Sequence, residues 1–373
     1  MKTHERGTMA VDGMNYTLGV EEEFVLLDPM DGSVALRAPE LLESLAPGPD
    51  VTSELMRFQI ETATGVCRGL DEVRSELTRL RHLVATAAEA DGCLMVAAGI
   101  PPGDLRGDTL TPEPRYRRMA QAFPELIGEA GTCACHVHVG LPSRDLGARV
   151  LAGLRPWLAP LLALSANSPV QNGADSGWSS RRFPIWDRWP TAKPPDEWSG
   201  AAAYDRSIGE ALRRGAALDA AGVYFYARLS PRHPTVEVRI ADVCLAVDDA
   251  VLLAALVRGL VATCAGTASP PRVRGARIDA ALTAAARRGL DGPGIDVFTG
   301  RETDQRELLV ELVDFIRPAL TAAGDADDVD RGLDSLFEHG TGATRQRRLL
   351  AEAASPGEFA ADLAHATMNV PAR

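Results

Sequence analysis

The stretch Thr132–Gly140, TCACHVHVG, decides how the rest of the chain is read. It is short, apolar, β-branched at alternate positions and closed by Gly140, the pattern of a buried strand. Successive side chains of a strand point to opposite faces. Alternation therefore puts Cys133, Cys135, Val137 and Val139 on one face and His136 and His138 on the other. Residues two apart on a strand lie roughly 6.5–7 Å apart. Two imidazoles so placed suit a divalent cation or a phosphate chain. Alone, His-x-His marks a hydrogen-bonded core pair more often than a ligand set. The neighbours of this strand decide between the two.

Three other stretches repeat its pattern. Tyr16–Asp28 (YTLGVEEEFVLLD) alternates as a strand, with Leu18, Val20, Glu22, Phe24 and Leu26 on one face and Gly19, Glu21, Glu23 and Val25 on the other. Buried carboxylates are costly unless paired or metal-bound, so three in a row mark either a solvated edge or a site. Glu54–Cys67 reads as a further strand, with Phe58, Ile60 and Thr62 on one face and Gln59, Glu61 and Ala63 on the other. Gly222–Ile240 reads as two strands around the turn Ser230-Pro231-Arg232-His233-Pro234. In the second, Val236, Val238 and Ile240 face the core, while Glu237 and Arg239 share the opposite face as a salt bridge or as part of a site. Four strands thus set polar chemistry against an apolar face. If they share a sheet, its polar side gathers Glu21, Glu23, Glu61, His136, His138, Glu237 and Arg239. Such an oxygen-rich set suits Mg²⁺ or Mn²⁺ completed by substrate phosphates, and with an arginine it provides what phosphoryl transfer needs. There is no Walker A sequence and no kinase glycine loop, so a different fold holds any nucleotide.

Composition narrows the class. The 373 residues are 46% apolar, enough for a large core, and carry a net charge of −12. With a pI near 5.1, that balance speaks against nucleic acid or an anionic membrane as partner. The six cysteines form no CxxC pair and mostly sit in apolar runs, as reduced thiols do; Cys133 and Cys135 read as packed thiols or as a metal or redox pair. No secretory signal opens the chain, and residues 1–14 read as a polar leader. The longest apolar run, Ala250–Cys264, falls short of the ~20 residues of a membrane span. A cytoplasmic protein is expected.

The remaining segments are mostly helical. Gly69–Ala90 is amphipathic, Arg115–Gly128 carries a late proline, and Leu146–Asn167 bears Pro156 and Pro160 and should kink. Asn167–Trp198, with four tryptophans and Arg181-Arg182, is irregular and long enough for an active-site wall. Ala201–Leu218 and the run from Asp248 to Cys264 are helices, Ala268–Arg277 is a linker, and helices follow at 304–323, 326–339, 343–353 and 357–367.

The motifs GVEEEF, QIETATGVC, CHVHVG, ALSANSP, Asp187-Arg188-Trp189-Pro190, RLSPRHPTVEVRIADVC and Gly340–Arg345 (GTGATR) together resemble the carboxylate–amine ligases of the glutamate–cysteine ligase type 2 family, of the glutamine-synthetase-like superfamily. The resemblance implies an α+β fold: a curved, mainly antiparallel sheet with helices on its convex side and a funnel-shaped active site. It implies one catalytic domain over 15–373, helical from about 278, and a homodimer. It also implies ATP and Mg²⁺ or Mn²⁺, activation of a carboxylate as an acyl phosphate, and attack by an amine, with L-glutamate and L-cysteine as the default pair. Position by position, Glu21, Glu23, Glu61, His136 and Glu237 would hold metal. His138 would sit near the ATP phosphates, and Arg239 would contact the transferring phosphoryl group. Glu61 and Arg239 would be catalytic. Asn167, Arg181, Arg182 and Arg228 would line the substrate side.

The chain departs from the family pattern at Val170 and Gln171, where aromatics are usual, at Ala174, where arginine is common, and at Phe225-Tyr226, where an aromatic–Asp pair is common. These changes leave the implied metal ligands alone. They bear on which acid and amine are used, and leave open a ligase of the same mechanism with another substrate pair, or a nucleotide- or metal-binding relative without catalysis.

Overall fold

Strand β1 (Leu18–Leu27) is the hub of a seven-stranded sheet. The computed structural model describes residues 16–45, 48, 50–267 and 272–368; the expected leader lies outside them, as do residues 268–271 of the expected linker. The other strands of the sheet are β2 (Val51–Ser53), β3 (Gln59–Ala63), β4 (Leu94–Val96), β5 (Cys135–Gly140), β8 (Ala227–Leu229) and β9 (Thr235–Val238). Two small hairpins, β6–β7 (Val170–Gln171, Ala174–Asp175) and β10–β11 (Pro293–Ile295, Glu302–Asp304), stand apart. The order is β2-β3-β1-β5-β9-β8, with β4 also on β1, and every pairing is antiparallel.

Register follows from alternation. One face of the sheet must be buried, and a slip by one residue would turn it outward. Val20, Phe24, Ile60, Val137, Val139, Val236 and Val238 share the buried face and are at most 1% exposed. Helices Leu70–Ala90 and Val247–Ala265 lie across that face. The second is apolar nearly all round, because Gln305–Ala323 and Ala326–His339 pack on its outer side. The mainly antiparallel sheet with helices on its apolar face is the α+β architecture expected. Helices Pro114–Ala122 and Arg182–Trp186 stand beside the other, polar face.

Local breaks have physical causes. Pro156 turns the expected kinked helix into Arg144–Leu154, a short 3-10 turn and Leu158–Ser165. Pro124 splits the expected 115–128 helix at Phe123. The expected continuous strand 54–67 is instead interrupted. Gln59 N–H donates to the Met56 carbonyl and the Gln59 side-chain oxygen accepts from Met56 N–H, so the chain reverses between β2 and β3.

Candidate active site

The cross-strand register places the polar side chains opposite one another: Glu23 faces Glu61, Glu21 faces His136, and His138 faces Glu237. Directly opposed residues of an antiparallel pair project from the same face. The sheet thus brings Glu21, Glu23, Glu61, His136, His138 and Glu237 onto one surface, with Arg239 just beyond the end of β9.

Two groups form there. In the first, ligand atoms of Glu21, His138 and Glu237 lie within 4.8 Å of one another. His138 Nδ1 is engaged by Thr235 Oγ1 at 2.9 Å, while its Nε2 is buried without a hydrogen-bond partner, 3.3 Å from a Glu21 oxygen in poor bonding geometry. An imidazole fixed at one nitrogen and orphaned at the other is the usual disposition of a metal ligand. In the second, Glu23, Glu54 and Glu61 bring carboxylate oxygens within 4.8 Å of one another. Burial and the neighbouring acids push all three carboxyls up, Glu23 to about 8. Carboxylates so crowded repel unless a cation lies among them. Both groups therefore fit small hard cations, which take oxygen ligands with an occasional imidazole.

His136 links the groups. Its Nδ1 lies 3.0 Å from a Glu21 oxygen and its Nε2 3.7 Å from a Glu23 oxygen. Burial and the Arg239 charge lower its pKa to about 4, so at neutral pH it is an uncharged donor–acceptor. The ligand set expected to contain His136 thus has His138 in its place at the Glu21–Glu237 group. Glu21 resists burial because the hydrogen bond with His136 and the closeness of the His138 imidazole hold its carboxyl well below the usual range. Glu237 likewise overcomes burial through Arg239 and Arg228, which keep it ionised. Arg239 contacts Glu237 and lies 3.4 Å from His136, and the carboxylates around it hold its guanidinium charged against burial.

The residues expected on the substrate side are placed differently. All three guanidinium nitrogens of Arg228 are taken: Nε and Nη2 by Glu237 at 2.8 and 3.1 Å, and Nη1 by the Ala221 and Val223 carbonyls. Asn167 is 1% exposed, and its amide donates to the Ala97 and Val243 carbonyls. Both are spent on the fold, which corrects their expected role in binding substrate. Arg182 is also buried and donates to backbone carbonyls. Arg181 is half-buried and donates to Gln171, one of the departures from the family pattern. Of the other departures, Val170 is buried, Ala174 is exposed in the small hairpin, and the Tyr226 hydroxyl is bonded to Asp187.

Glu54 is the member of the site that sequence reasoning missed. In an unbroken strand it would share a face with Phe58 and Ile60. The reversal at 56–59 returns it to the side of Glu61. No glycine or proline in 55–60 announces that turn. The two thiols of TCACH also separate, because β5 begins only at Cys135. Cys133 Sγ accepts from Gln59 Nε2 at 3.4 Å, whereas Cys135 lies beside Cys244.

The same arrangement of sheet and helices recurs in solved structures of ligases. A glutamate–cysteine ligase from Francisella tularensis, solved in complex with AMP, matches with a TM-score of 0.71 over 95% of this chain and 89% of that one, at 16% identity. A bifunctional glutathione synthetase from Pasteurella multocida matches with a TM-score of 0.66 over 95% of this chain and 52% of that one, at 13% identity. These likenesses establish the fold. Among sequences, a Mycobacterium sp. (strain KMS) protein described as "Putative glutamate–cysteine ligase 2-2" is 44% identical over 89% of this chain and 93% of its own length. A Salinispora arenicola protein described as "Putative glutamate–cysteine ligase 2" is 42% identical over 93% of this chain and 94% of its own. The model of glutamate–cysteine ligase family 2 (GCS2) matches residues 17–365, and the chain belongs to that family. Among the described residues no helix is long and apolar enough to cross a membrane.

Proposed function

We propose that this protein is an ATP-dependent carboxylate–amine ligase that forms an amide through an acyl phosphate, with L-glutamate and L-cysteine as the first pair to test. The observation that carries the reading is the meeting of Glu21–His138–Glu237 and Glu23–Glu54–Glu61 on one face beside Arg239. Family membership supports it.

Magnesium ions held by those two groups would neutralise and align the triphosphate. His136 keeps Glu21 and Glu23 in register between the groups. Arg228 fixes the Glu237 carboxylate by two hydrogen bonds and so orients a ligand without touching substrate. A cavity of about 230 Å³ beside His138, lined by Leu141, Arg144, Leu229, His233 and Thr235 among others, has the mixed polar and apolar walls that suit the base end of a nucleotide. In the first step a carboxylate oxygen of the acid attacks the γ-phosphorus as the bond to ADP breaks. Arg239 then faces the charge that spreads over the equatorial oxygens. In the second step the uncharged amine attacks the acyl carbon, the bond to the phosphate oxygen breaks, and the nitrogen's surplus proton leaves with the phosphate. The products are amide, ADP and phosphate.

The test is ADP release with Mg²⁺ across a matrix of acids and amines. Amine-dependent ADP with glutamate and cysteine is the expected result; none with any pair would overturn the reading. A second reading, the same chemistry with another acid and amine, is favoured by Arg228 and Asn167 being spent on the fold and by Gln171 and Tyr226 being turned to Arg181 and Asp187. Turnover with another pair and none with glutamate plus cysteine would select it.

A further inference from the structure

Arg182 lies buried beside the polar face, close enough to Glu23 and Arg239 to feel both charges, but its hydrogen bonds go elsewhere. It is 2% exposed, and its guanidinium lies 4.7 Å from the ring centre of Trp186. Nη1 donates to the Ile240 carbonyl at 3.0 Å and Nη2 to the Arg239 carbonyl at 3.1 Å, while Nε has no partner. Asp242 stands 3.8 Å away as its counter-charge. That carboxylate is itself immobilised by the Ser168 and Ser180 hydroxyls at 2.7 and 2.8 Å and by the Asn167 N–H at 2.9 Å. A buried guanidinium is costly to desolvate, and an apolar side chain could fill the same space more cheaply. The ion is therefore poor value as packing alone. What it does is hold two consecutive carbonyls, one of them that of Arg239.

The Arg239 N–H is also fixed, by donation to the Tyr226 carbonyl. Both peptide groups flanking Arg239 are thus tied, and the direction in which its side chain leaves the backbone is set. An arginine side chain has up to about 2 kcal/mol of rotamer entropy to lose. A fixed root removes the backbone share of that disorder before any ligand arrives.

We propose that Arg182, anchored by Asp242, is the positioning residue for Arg239: it aims the Arg239 guanidinium at Glu237 and at the phosphoryl group. The aim toward Glu237 stands on the structure, and the aim toward phosphate rests on the ligase reading above. The two parts are therefore measured separately.

The first measurement needs no ligand. In crystals of Arg182→Met, the Arg239 guanidinium is expected to leave Glu237 and His136. An Arg239 found in place, with the Arg239 and Ile240 carbonyls unmoved, overturns the proposal. The second compares the affinities of Mg²⁺-bound non-hydrolysable ATP analogue and of Mg²⁺·ADP, a ratio that reports the γ-phosphate contact. Loss of one charged hydrogen bond corresponds to about tenfold or more in affinity. Arg182→Met is expected to lower the ratio by that factor, to leave ADP affinity nearly unchanged, and to add nothing in an Arg239→Met background. Arg182→Lys, which retains a charged donor, should recover part of it. A lower melting temperature with an unchanged ratio would reduce Arg182 to a structural residue. Additive losses in the double variant would make it a direct contact. Both overturn the proposal. If the natural protein shows no preference for the γ-phosphate, the ligase reading fails, and the crystal measurement alone decides the positioning of Arg239. If Arg182→Met does not fold, Asp242→Asn, which keeps the serine hydrogen bonds but removes the counter-charge, carries the same two measurements with a smaller expected loss.

Discussion

Glu22 and its neighbours Glu21 and Glu23 occupy one strand yet belong to opposite kinds of site. Glu22 points to the apolar face and is 0% exposed. Arg81, from helix Leu70–Ala90, meets both its oxygens at 3.0 and 2.5 Å and gives its remaining hydrogens to the carbonyls of Cys244, Leu245 and Thr367. That pair is complete. On the other face Glu23 gathers with Glu54 and Glu61, and among the described residues neither Glu54 nor Glu61 forms an ion pair. The comparison separates an acid whose opposite charge the protein supplies at hydrogen-bond distance from acids that are crowded together without such a partner.

The contrast breaks most readily at Arg81. Arg81→Met leaves Glu22 buried and alone, and should cost about 3–5 kcal/mol, read from denaturant unfolding. Adding Glu22→Leu should recover much of the loss. On the other face, Glu61→Gln should do the reverse. ADP release should fall by about 10²–10³ or more, while the metal-free protein melts no earlier than the parent, since one repelling charge is gone. Glu237→Gln should lose a comparable factor in turnover, because it leaves Arg228 and Arg239 without their acid. Ligands come next. Saturating Mg²⁺ with ATP, at 100 times the dissociation constant, should add about 2.7 kcal/mol of stability, seen as a rise in melting temperature. The same addition to Glu61→Gln should raise it less.

The smallest expected effect is in pH. Glu23, Glu54 and Glu61 have folded pKa values above their unfolded ones, so the folded state holds protons that the unfolded state has released. Their contribution to stability is full below the ordinary glutamate range and is lost as pH rises above it, that of Glu23 by about 8. His136, lowered to about 4, acts the opposite way between there and the ordinary histidine value of 6.5. From pH 6.5 to 8 only the acids act, so the metal-free melting temperature should fall across that window. Saturating Mg²⁺ should flatten the slope, and a slope that Mg²⁺ leaves unchanged would count against cation binding at Glu23, Glu54 and Glu61.

Alternation put Glu21, Glu23, Glu61, His136, His138 and Glu237 each on the polar face of its own strand, opposite an apolar one; the grouping held on the condition that the strands share a sheet, which their pairing meets. What alternation could not show depends on chain reversals and distant partners. Glu54 needed the turn at 56–59. Glu22 found Arg81 59 residues away on a helix face otherwise read as part of an ordinary amphipathic stripe. Asn167 and Arg182 lie in the irregular stretch between 167 and 198, where no periodicity tells a side chain that meets a substrate from one that meets a carbonyl.

The bond from Arg81 to the Thr367 carbonyl joins positions 286 residues apart, and the Thr367 hydroxyl also receives the Ala97 N–H at 2.9 Å. During synthesis, therefore, the sheet's hub and its guanidinium anchor emerge long before the helix that completes their coordination. Until position 367 clears the ribosome, the Arg81 guanidinium is short of one carbonyl acceptor, so the packing around the hub closes only after the helix Pro356–Thr367 has been made.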